Sequence, residues 1–116
     1  MAIINSKNYN RSSLERKFDI LWNKVNPDLD LEIERMLIPG RRYRTDYLHT
    51  NTKTVIEVHG GEFMSVGGHK TAKGISEDAK KQNALVILGY KPFVLHTSMV
   101  NGVEIKRIGE VIRSWS

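Results

Sequence analysis

The sequence predicts an α/β protein with the element order α-β-β-β-α-β, followed by a C-terminal helix. Two observations lead to this fold class: a helix-spaced apolar stripe precedes three strand-like segments, and a second helical segment separates the last of these from another β-rich run. Strand–helix–strand order favours a parallel crossover, whereas the three preceding segments are close enough for hairpins. We therefore expect a mixed central sheet flanked by helices, in one domain over residues 1–116.

Three segments have helical periodicity. Residues 12–25 carry an apolar stripe behind a capping box made by Ser12 and Glu15, and Pro27 ends this helix. A second helix is predicted over about residues 76–88, with Gly89 just past its C-terminus. Its spacing predicts an inner face of Ile75, Ala79, Asn83, Val86 and Ile87. A third helix is predicted from the spacing of Ile105, Ile108, Ile112 and Trp115.

Four segments are typical of strands. Residues 31–38 run into the Pro39-Gly40 turn, and residues 43–49 alternate with strand period. The polar stretch 50–53 predicts a hairpin turn before residues 54–58, which are β-branched and apolar apart from Glu57. Residues 93–95 supply the last strand. A meander of three strands after a helix is the simplest arrangement.

Composition restricts the classes of function. Eighteen Lys and Arg against thirteen Asp and Glu give a net charge of +5, which favours polyanionic partners. The absence of cysteine excludes disulfides, thiolate zinc sites and thiol nucleophiles. No apolar run approaches the roughly 20 residues of a membrane span, and the N-terminus lacks the apolar stretch of a secretory signal. We expect a soluble protein of the cytoplasm.

Two carboxylates stand at positions where carboxylates are uncommon. Asp46 lies within a strand, and Glu57 lies in the most apolar strand of the chain. Burying an unpaired carboxylate costs several kcal/mol unless a cation compensates. If the two strands form a hairpin, the pair can hold a divalent cation, and Mg²⁺ suits oxygen ligands. The alternative is a structural ion pair between Glu57 and Arg44 or Arg42.

The order of these motifs resembles a known nuclease superfamily. An Arg-x-Asp strand (residues 43–47) precedes an apolar strand that ends in Glu, Val, His and Gly (56–60). A helix with Asp-x-x-Lys (78–81) and a Gly-aromatic β-run (89–95) follow. Over residues 42–97 this set is similar to the PD-(D/E)XK nucleases, and more narrowly to the branch of very-short-patch-repair endonucleases. The resemblance implies a restriction-endonuclease-like core.

The resemblance also implies roles for the residues that match. Asp46 would be the central metal ligand, Glu57 the second carboxylate ligand, and the Val58 carbonyl a third. His59 stands where the superfamily has a lysine, which is a departure from the pattern. A neutral imidazole there would orient or deprotonate the attacking water, but it carries no fixed charge. Lys81, on the following helix, is the leading candidate for the missing cation.

The remaining implied roles are more peripheral. His69 and Lys70, in the glycine-rich loop, are further candidates for the catalytic cation or base, and Glu15 would add an outer carboxylate beside its capping role. Separately from the resemblance, the glycine density of residues 61–68 and their apolar Phe63 and Met64 suggest a loop that orders on DNA or wedges into a groove. Backbone phosphates would be contacted by Arg41, Arg42, Arg44, Lys70, Lys73 and Lys80.

The sequence therefore predicts a Mg²⁺-dependent endodeoxyribonuclease, with Mn²⁺ as a substitute, that nicks DNA or cuts at junctions or sites in duplex or branched DNA. One domain leaves specificity to a homodimer, DNA shape or a partner protein. The expected host compartment is the cytoplasm of a bacterial or phage-infected cell, from a phage or mobile element. The alternatives are a catalytically impaired DNA-binding module of the same fold, a non-enzymatic interaction domain, and RNA as substrate.

Overall fold

The computed structural model describes residues 2–60 and 72–116, with side chains over 2–60 and 74–116. Within these ranges a five-stranded mixed sheet has the order β1-β2-β3-β4-β5. The elements in chain order are β1 (Ile3–Ile4), α1 (Ser13–Val25), β2 (Leu31–Met36), β3 (Arg44–His49), β4 (Thr54–His59), α2 (Ala72–Ile87), β5 (Lys91–His96), a 3₁₀ turn (Thr97–Met99) and α3 (Gly102–Trp115). The predicted fold class is confirmed.

The sheet is mixed because only its outer pairs are parallel. Strands β2, β3 and β4 form the antiparallel meander expected from the short turns between them. Strand β5 returns through α2 to lie parallel to β4, with Glu57 beside Val94 and His59 beside His96. The parallel crossover predicted from the strand–helix–strand order is confirmed.

Strand β1 was not predicted. It is two residues long and pairs in parallel with the start of β2, where the Leu31 N–H donates to the Ala2 carbonyl at 2.7 Å. The Asn23 side chain on α1 accepts from the Ala2 and Ile3 N–H groups. A strand this short has no periodicity to detect, since tertiary contacts rather than its own pattern define it.

One face of the sheet packs against α1 and α3. Phe18 and Trp22 on α1 stack at 5.5 Å between ring centroids, and Phe18 lies 4.1 Å from the ring of Tyr47 on β3. Ile105, with its neighbours along α3, completes this larger core. The capping box predicted at the start of α1 is present, because the Ser12 side chain accepts from the Glu15 N–H and the Glu15 side chain accepts from the Ser12 N–H.

The other face of the sheet packs against α2 through a smaller cluster of Leu48, Val55 and Leu85. Helix α2 starts at Ala72, four residues earlier than predicted, and ends in the predicted glycine cap. Gly89 has φ +92°, and the N–H groups of Gly89 and Tyr90 donate to the carbonyls of Val86 and Leu85. This is the αL end that lets the chain turn into β5.

The predicted inner face of α2 is wrong. Ile75, Val86 and Ile87 are 56%, 58% and 83% exposed, and Ala79 and Asn83 are also exposed. The face turned toward the sheet instead carries Leu85 and, one turn before it, Lys81. Hydrophobic spacing identified an amphipathic helix but not the face that packs, and the observed docking brings Lys81 to the buried Glu57 carboxylate, which would be costly to leave without a cation.

Candidate metal and catalytic site

The site lies where the hydrogen-bond ladders on both sides of β3 are interrupted. Register pairs flank Asp46 on the β2 side (Tyr47 with Ile33, Thr45 with Arg35), so Glu34 stands across from Asp46. On the β4 side the pairing stops at Tyr47 with Ile56. Beyond that pair, side-chain carboxylates rather than backbone carbonyls accept the hydrogen bonds of the backbone N–H groups.

Asp46 and Glu57 bridge the gap between β3 and β4 with their carboxylates. The Asp46 N–H donates to Glu57 Oε2 at 3.3 Å, and the Val58 N–H donates to Asp46 Oδ2 at 2.8 Å. Each side chain therefore satisfies a backbone N–H that would otherwise bond across the ladder. The two acids lie next to each other on neighbouring strands, as expected if these strands form a hairpin.

Glu34 adds a carboxylate from a third strand, β2, to the site. Its backbone has φ +55°, a left-handed conformation that non-glycine residues rarely adopt. One carboxylate oxygen each of Glu15, Glu34 and Asp46 lie within 4.8 Å of one another, and all three residues are half-buried. Among the described residues this is the grouping of acidic side chains with the spacing of a metal site.

Burial and like charge disfavour ionised carboxylates in this cluster. Burial, followed by the neighbouring Glu57, raises the pKa of Asp46 from its usual 3.8 to about 7. Burial, followed by Glu15 and Asp46, also raises the pKa of Glu34. A divalent cation would relieve this repulsion, and three carboxylate oxygens match the ligands that Mg²⁺ and Mn²⁺ prefer. The residues present therefore fit such an ion.

Arg11 compensates part of the negative charge. Its guanidinium lies 3.2 Å from Glu15 Oε2, 3.0 Å from Asp19 Oδ2 and 4.0 Å from Glu34 Oε1, and it donates to the Tyr47 hydroxyl at 2.8 Å. Burial opposes the charge on Arg11, but the hydrogen bond and charge of Asp19 outweigh it and raise the pKa of Arg11. Asp46 receives no such ion pair within the described residues.

Lys81 is the ionic partner of Glu57. Its Nζ lies 2.6 Å from Glu57 Oε1, and the two side chains are 18% and 3% exposed. The contact is ionic rather than a well-aligned hydrogen bond, because Glu57 Oε1 has no hydrogen-bond partner of acceptable geometry among the described residues. The alternative partners expected from the sequence, Arg44 and Arg42, are wrong: both are exposed, and Arg44 lies over the Tyr9 ring at 5.5 Å.

The other predicted residues fall into three groups. His59 is half-buried at the end of β4, with its ring edge-on to His96 at 5.8 Å between centroids. Arg41 and Lys80 are exposed. Three predicted residues lie outside the described positions, in whole or for their side chains, together with the loop over 61–68: His69, Lys70 and Lys73.

Sequence reasoning placed Asp46 and Glu57 together but missed Glu34. The sequence signal for Glu34 is weak, because its strand also carries Glu32 and Arg35, so that a charged side chain there is not unusual. Glu15 was treated as an outer carboxylate, and it does cap α1 while also lying in the acidic cluster. The roles assigned to Asp46, Glu57, Val58 and His59 stay predictions.

Fold and site together define a compact α/β domain whose mixed sheet carries an acidic cluster suited to a divalent cation. No protein-family model and no curated protein sequence matches this chain. Among solved structures, the catalytic domain of the homing endonuclease I-Bth0305I is similar, with a TM-score of 0.59 and 16% sequence identity. The match covers 90% of this chain and 94% of that chain. The likeness is one of fold.

Proposed function

We propose that this protein is a divalent-metal-dependent endonuclease that hydrolyses phosphodiester bonds in DNA. The observation that carries the proposal is the convergence of Glu15, Glu34 and Asp46 at the point where the β3 ladders open, with the Glu57–Lys81 pair beside them. The fold shared with a homing endonuclease catalytic domain and the net charge of +5 support it. The PD-(D/E)XK pattern and the patch-repair likeness belong to the same proposal.

Glu15, Glu34 and Asp46 would hold Mg²⁺, or Mn²⁺ in its place, with Glu57 and the Val58 carbonyl as further oxygen donors. The ion, when bound, would stabilise negative charge on the scissile phosphate and favour ionised water. The Lys81 ammonium would add the fixed positive charge that His59 lacks in the motif. Lys70 and His69 are the other candidates for these two roles.

His59 would orient the attacking water and accept its proton as a neutral imidazole. The water oxygen forms a bond to phosphorus, the bond from phosphorus to the 3′ oxygen breaks, and that oxygen takes a proton from solvent. The products are a 5′ phosphate and a 3′ hydroxyl. Outside the reacting centre, phosphates would be held by Arg41, Arg42, Arg44, Lys70, Lys73 and Lys80.

The proposal is tested by nicking of supercoiled plasmid in Mg²⁺, in Mn²⁺ and in EDTA. Asp46→Asn and Glu34→Gln should each lose at least about a hundredfold in rate, because metal ligands contribute several kcal/mol to the barrier. Glu32→Gln is the matched control, since Glu32 is on the same strand as Glu34 and its carboxylate accepts from Arg35 and Thr50 rather than joining the acidic cluster. Nicking that persists in EDTA, or in both ligand variants, would refute the metal-dependent site.

A second candidate, a catalytically impaired DNA-binding module, is favoured by one observation. Arg11 already contacts two of the three acids in the cluster and so supplies part of the charge that a metal would supply. Such a module would bind DNA equally well in Mg²⁺ and in EDTA, with no nicking in either. Calorimetry that shows Mn²⁺ binding to the wild type and none to Asp46→Asn would exclude the version of this module in which the acidic cluster holds no metal. Cleavage of RNA under the same conditions would widen the substrate class.

A further inference from the structure

The Glu57–Lys81 contact does not by itself fix the direction of the ammonium group. Lys81 Nζ lies 2.6 Å from Glu57 Oε1, yet within the described part of the chain that oxygen lacks a hydrogen bond of acceptable geometry. A lysine side chain has four rotatable bonds and about 2 kcal/mol of rotamer entropy to lose when it is held in one place. Something else must restrict it if it is to act at a defined position.

Tyr43 is a second neighbour of the Lys81 ammonium. It is half-buried just before β3, and its ring centroid lies 5.9 Å from Lys81 Nζ, within the range of a cation–π interaction. Its hydroxyl donates to Glu77 Oε2 at 3.0 Å. Because Glu77 is four residues before Lys81, both lie on one side of α2. The tyrosine therefore contacts α2 twice, once at Lys81 and once a turn earlier.

The charges around Tyr43 reinforce this arrangement. The hydrogen bond from Tyr43, followed by Lys80, lowers the pKa of Glu77 and keeps its carboxylate ionised as an acceptor. Arg41 lies 5.8 Å from the same ring centroid, so a second cation adjoins the ring. Tyr43 thus connects the basic segment before β3 with the helix that carries Lys81.

We infer that Tyr43 is a positioning residue: by anchoring to Glu77 and covering the Lys81 ammonium, it holds Lys81 against Glu57 for the chemistry. The inference rests on the proposed nuclease function for its catalytic part. Its structural part, the restriction of Lys81, can be measured without any cleavage. No role was assigned to Tyr43 from its sequence motif.

The structural part is tested by acetylating the lysines of the folded, full-length protein with a water-soluble acetylating ester and mapping the products by mass spectrometry. Lys106 is the internal reference, because it is exposed on α3, which packs on the other face of the sheet from α2. Tyr43→Leu should raise the labelling ratio of Lys81 to Lys106 by up to about threefold, because the Lys81 side chain is 18% exposed against 62% for the neighbouring Lys80. Tyr43→Phe, which loses only the bond to Glu77, should give a smaller rise.

Tyr90→Leu is the matched control, since Tyr90 follows the other end of α2 and its ring contacts Lys53. It should leave the labelling ratio unchanged, and circular dichroism should show that every variant is folded. An unchanged ratio in a folded Tyr43→Leu protein overturns the inference.

The catalytic part is tested by plasmid nicking. Tyr43→Leu should lower kcat with little change in KM, because the ring does not need to touch DNA to act through Lys81. If the wild type nicks DNA and Tyr43→Leu keeps its kcat, the positioning role is overturned while the nuclease proposal stands. If no protein nicks DNA but the labelling ratio rises, the nuclease proposal fails and the restriction of Lys81 by Tyr43 stands.

Discussion

Asp46→Asn should stabilise the metal-free protein while removing its proposed activity. The folded-state pKa of Asp46 is about 7 against its usual 3.8, so ionising it in the native state is unfavourable. At about 1.4 kcal/mol per pH unit, the cost of ionising Asp46 in the folded protein relative to the unfolded chain is on the order of 4 kcal/mol above pH 7. Since Asp46 keeps some contact with solvent, we expect about half, roughly 2 kcal/mol, to appear in the free energy of unfolding.

The pH dependence of this effect has a definite sign. Between pH 4 and 7 the native state binds more protons than the unfolded state, because the folded pKa is the higher one. The stability contribution of the protonated carboxyl is therefore fully present below about pH 4 and is lost as the pH rises to 7. In Asp46→Asn the side chain does not ionise, so this loss of stability does not occur. Its amide oxygen can still accept from the Val58 N–H. The two proteins should be equally stable at pH 4 and diverge toward pH 8.

The assay is urea unfolding in EDTA at pH values from 4 to 8, followed by tryptophan fluorescence. Glu110→Gln is the control, because Glu110 is exposed on α3 outside the acidic cluster and its substitution should give no such divergence. Mg²⁺ added at pH 8 should stabilise the wild type and leave Asp46→Asn unchanged. An Asp46→Asn protein that is less stable than wild type at pH 8 in EDTA, or a difference that does not depend on pH, would contradict the reasoning.

Three further outcomes are expected. Lys81→Met should destabilise the protein by about 3 kcal/mol, because Glu57 is left buried without its cation; adding Glu57→Gln should restore most of this in thermal unfolding. Gly109→Ala should be destabilising, since a Cβ there would lie 2.1 Å from Asn26 Oδ1. A Cβ at Gly102 meets nothing within 4 Å, so Gly102→Ala should be neutral or stabilising, and the midpoints of urea unfolding test both outcomes. DNA affinity in EDTA should fall with salt at a log–log slope of about −5 if all six basic side chains bind phosphate, and a flat response in fluorescence anisotropy would exclude them.

The sequence was sufficient for most of the secondary structure. Capping and turn chemistry act over a few residues, so the Ser12–Glu15 box and the Gly89 end of α2 could be predicted and are present. The meander and the parallel return of β5 followed from segment order and loop length. Strand β1 could not be predicted, because two residues carry no pattern and pair only after β2 and α1 are in place.

Only part of the candidate site could be predicted from the sequence. Asp46 and Glu57 were conspicuous because a carboxylate in an apolar strand needs a partner, and the hairpin brings them together. The ionic partner of Glu57 was expected to be Arg44 or Arg42 and is Lys81 instead, because the sequence does not show which side chain of α2 the packing brings to Glu57. Glu34 was missed because strand alternation assigns a side chain to a face but does not anticipate a backbone with φ +55° opposite Asp46.

The sequence by itself determined the three helices and the strands other than β1, that they form a mixed sheet, and that two acids stand at positions shielded from solvent. Only the tertiary structure decided that α2 turns Lys81 rather than Ile75 and Val86 toward the sheet, and that Glu15 and Glu34 join Asp46. The reason is that periodicity describes one element at a time. Which faces meet depends on docking, and here the docked helix places a lysine against a buried carboxylate that would be costly to leave without a cation, while Ile75 and Val86 stay exposed.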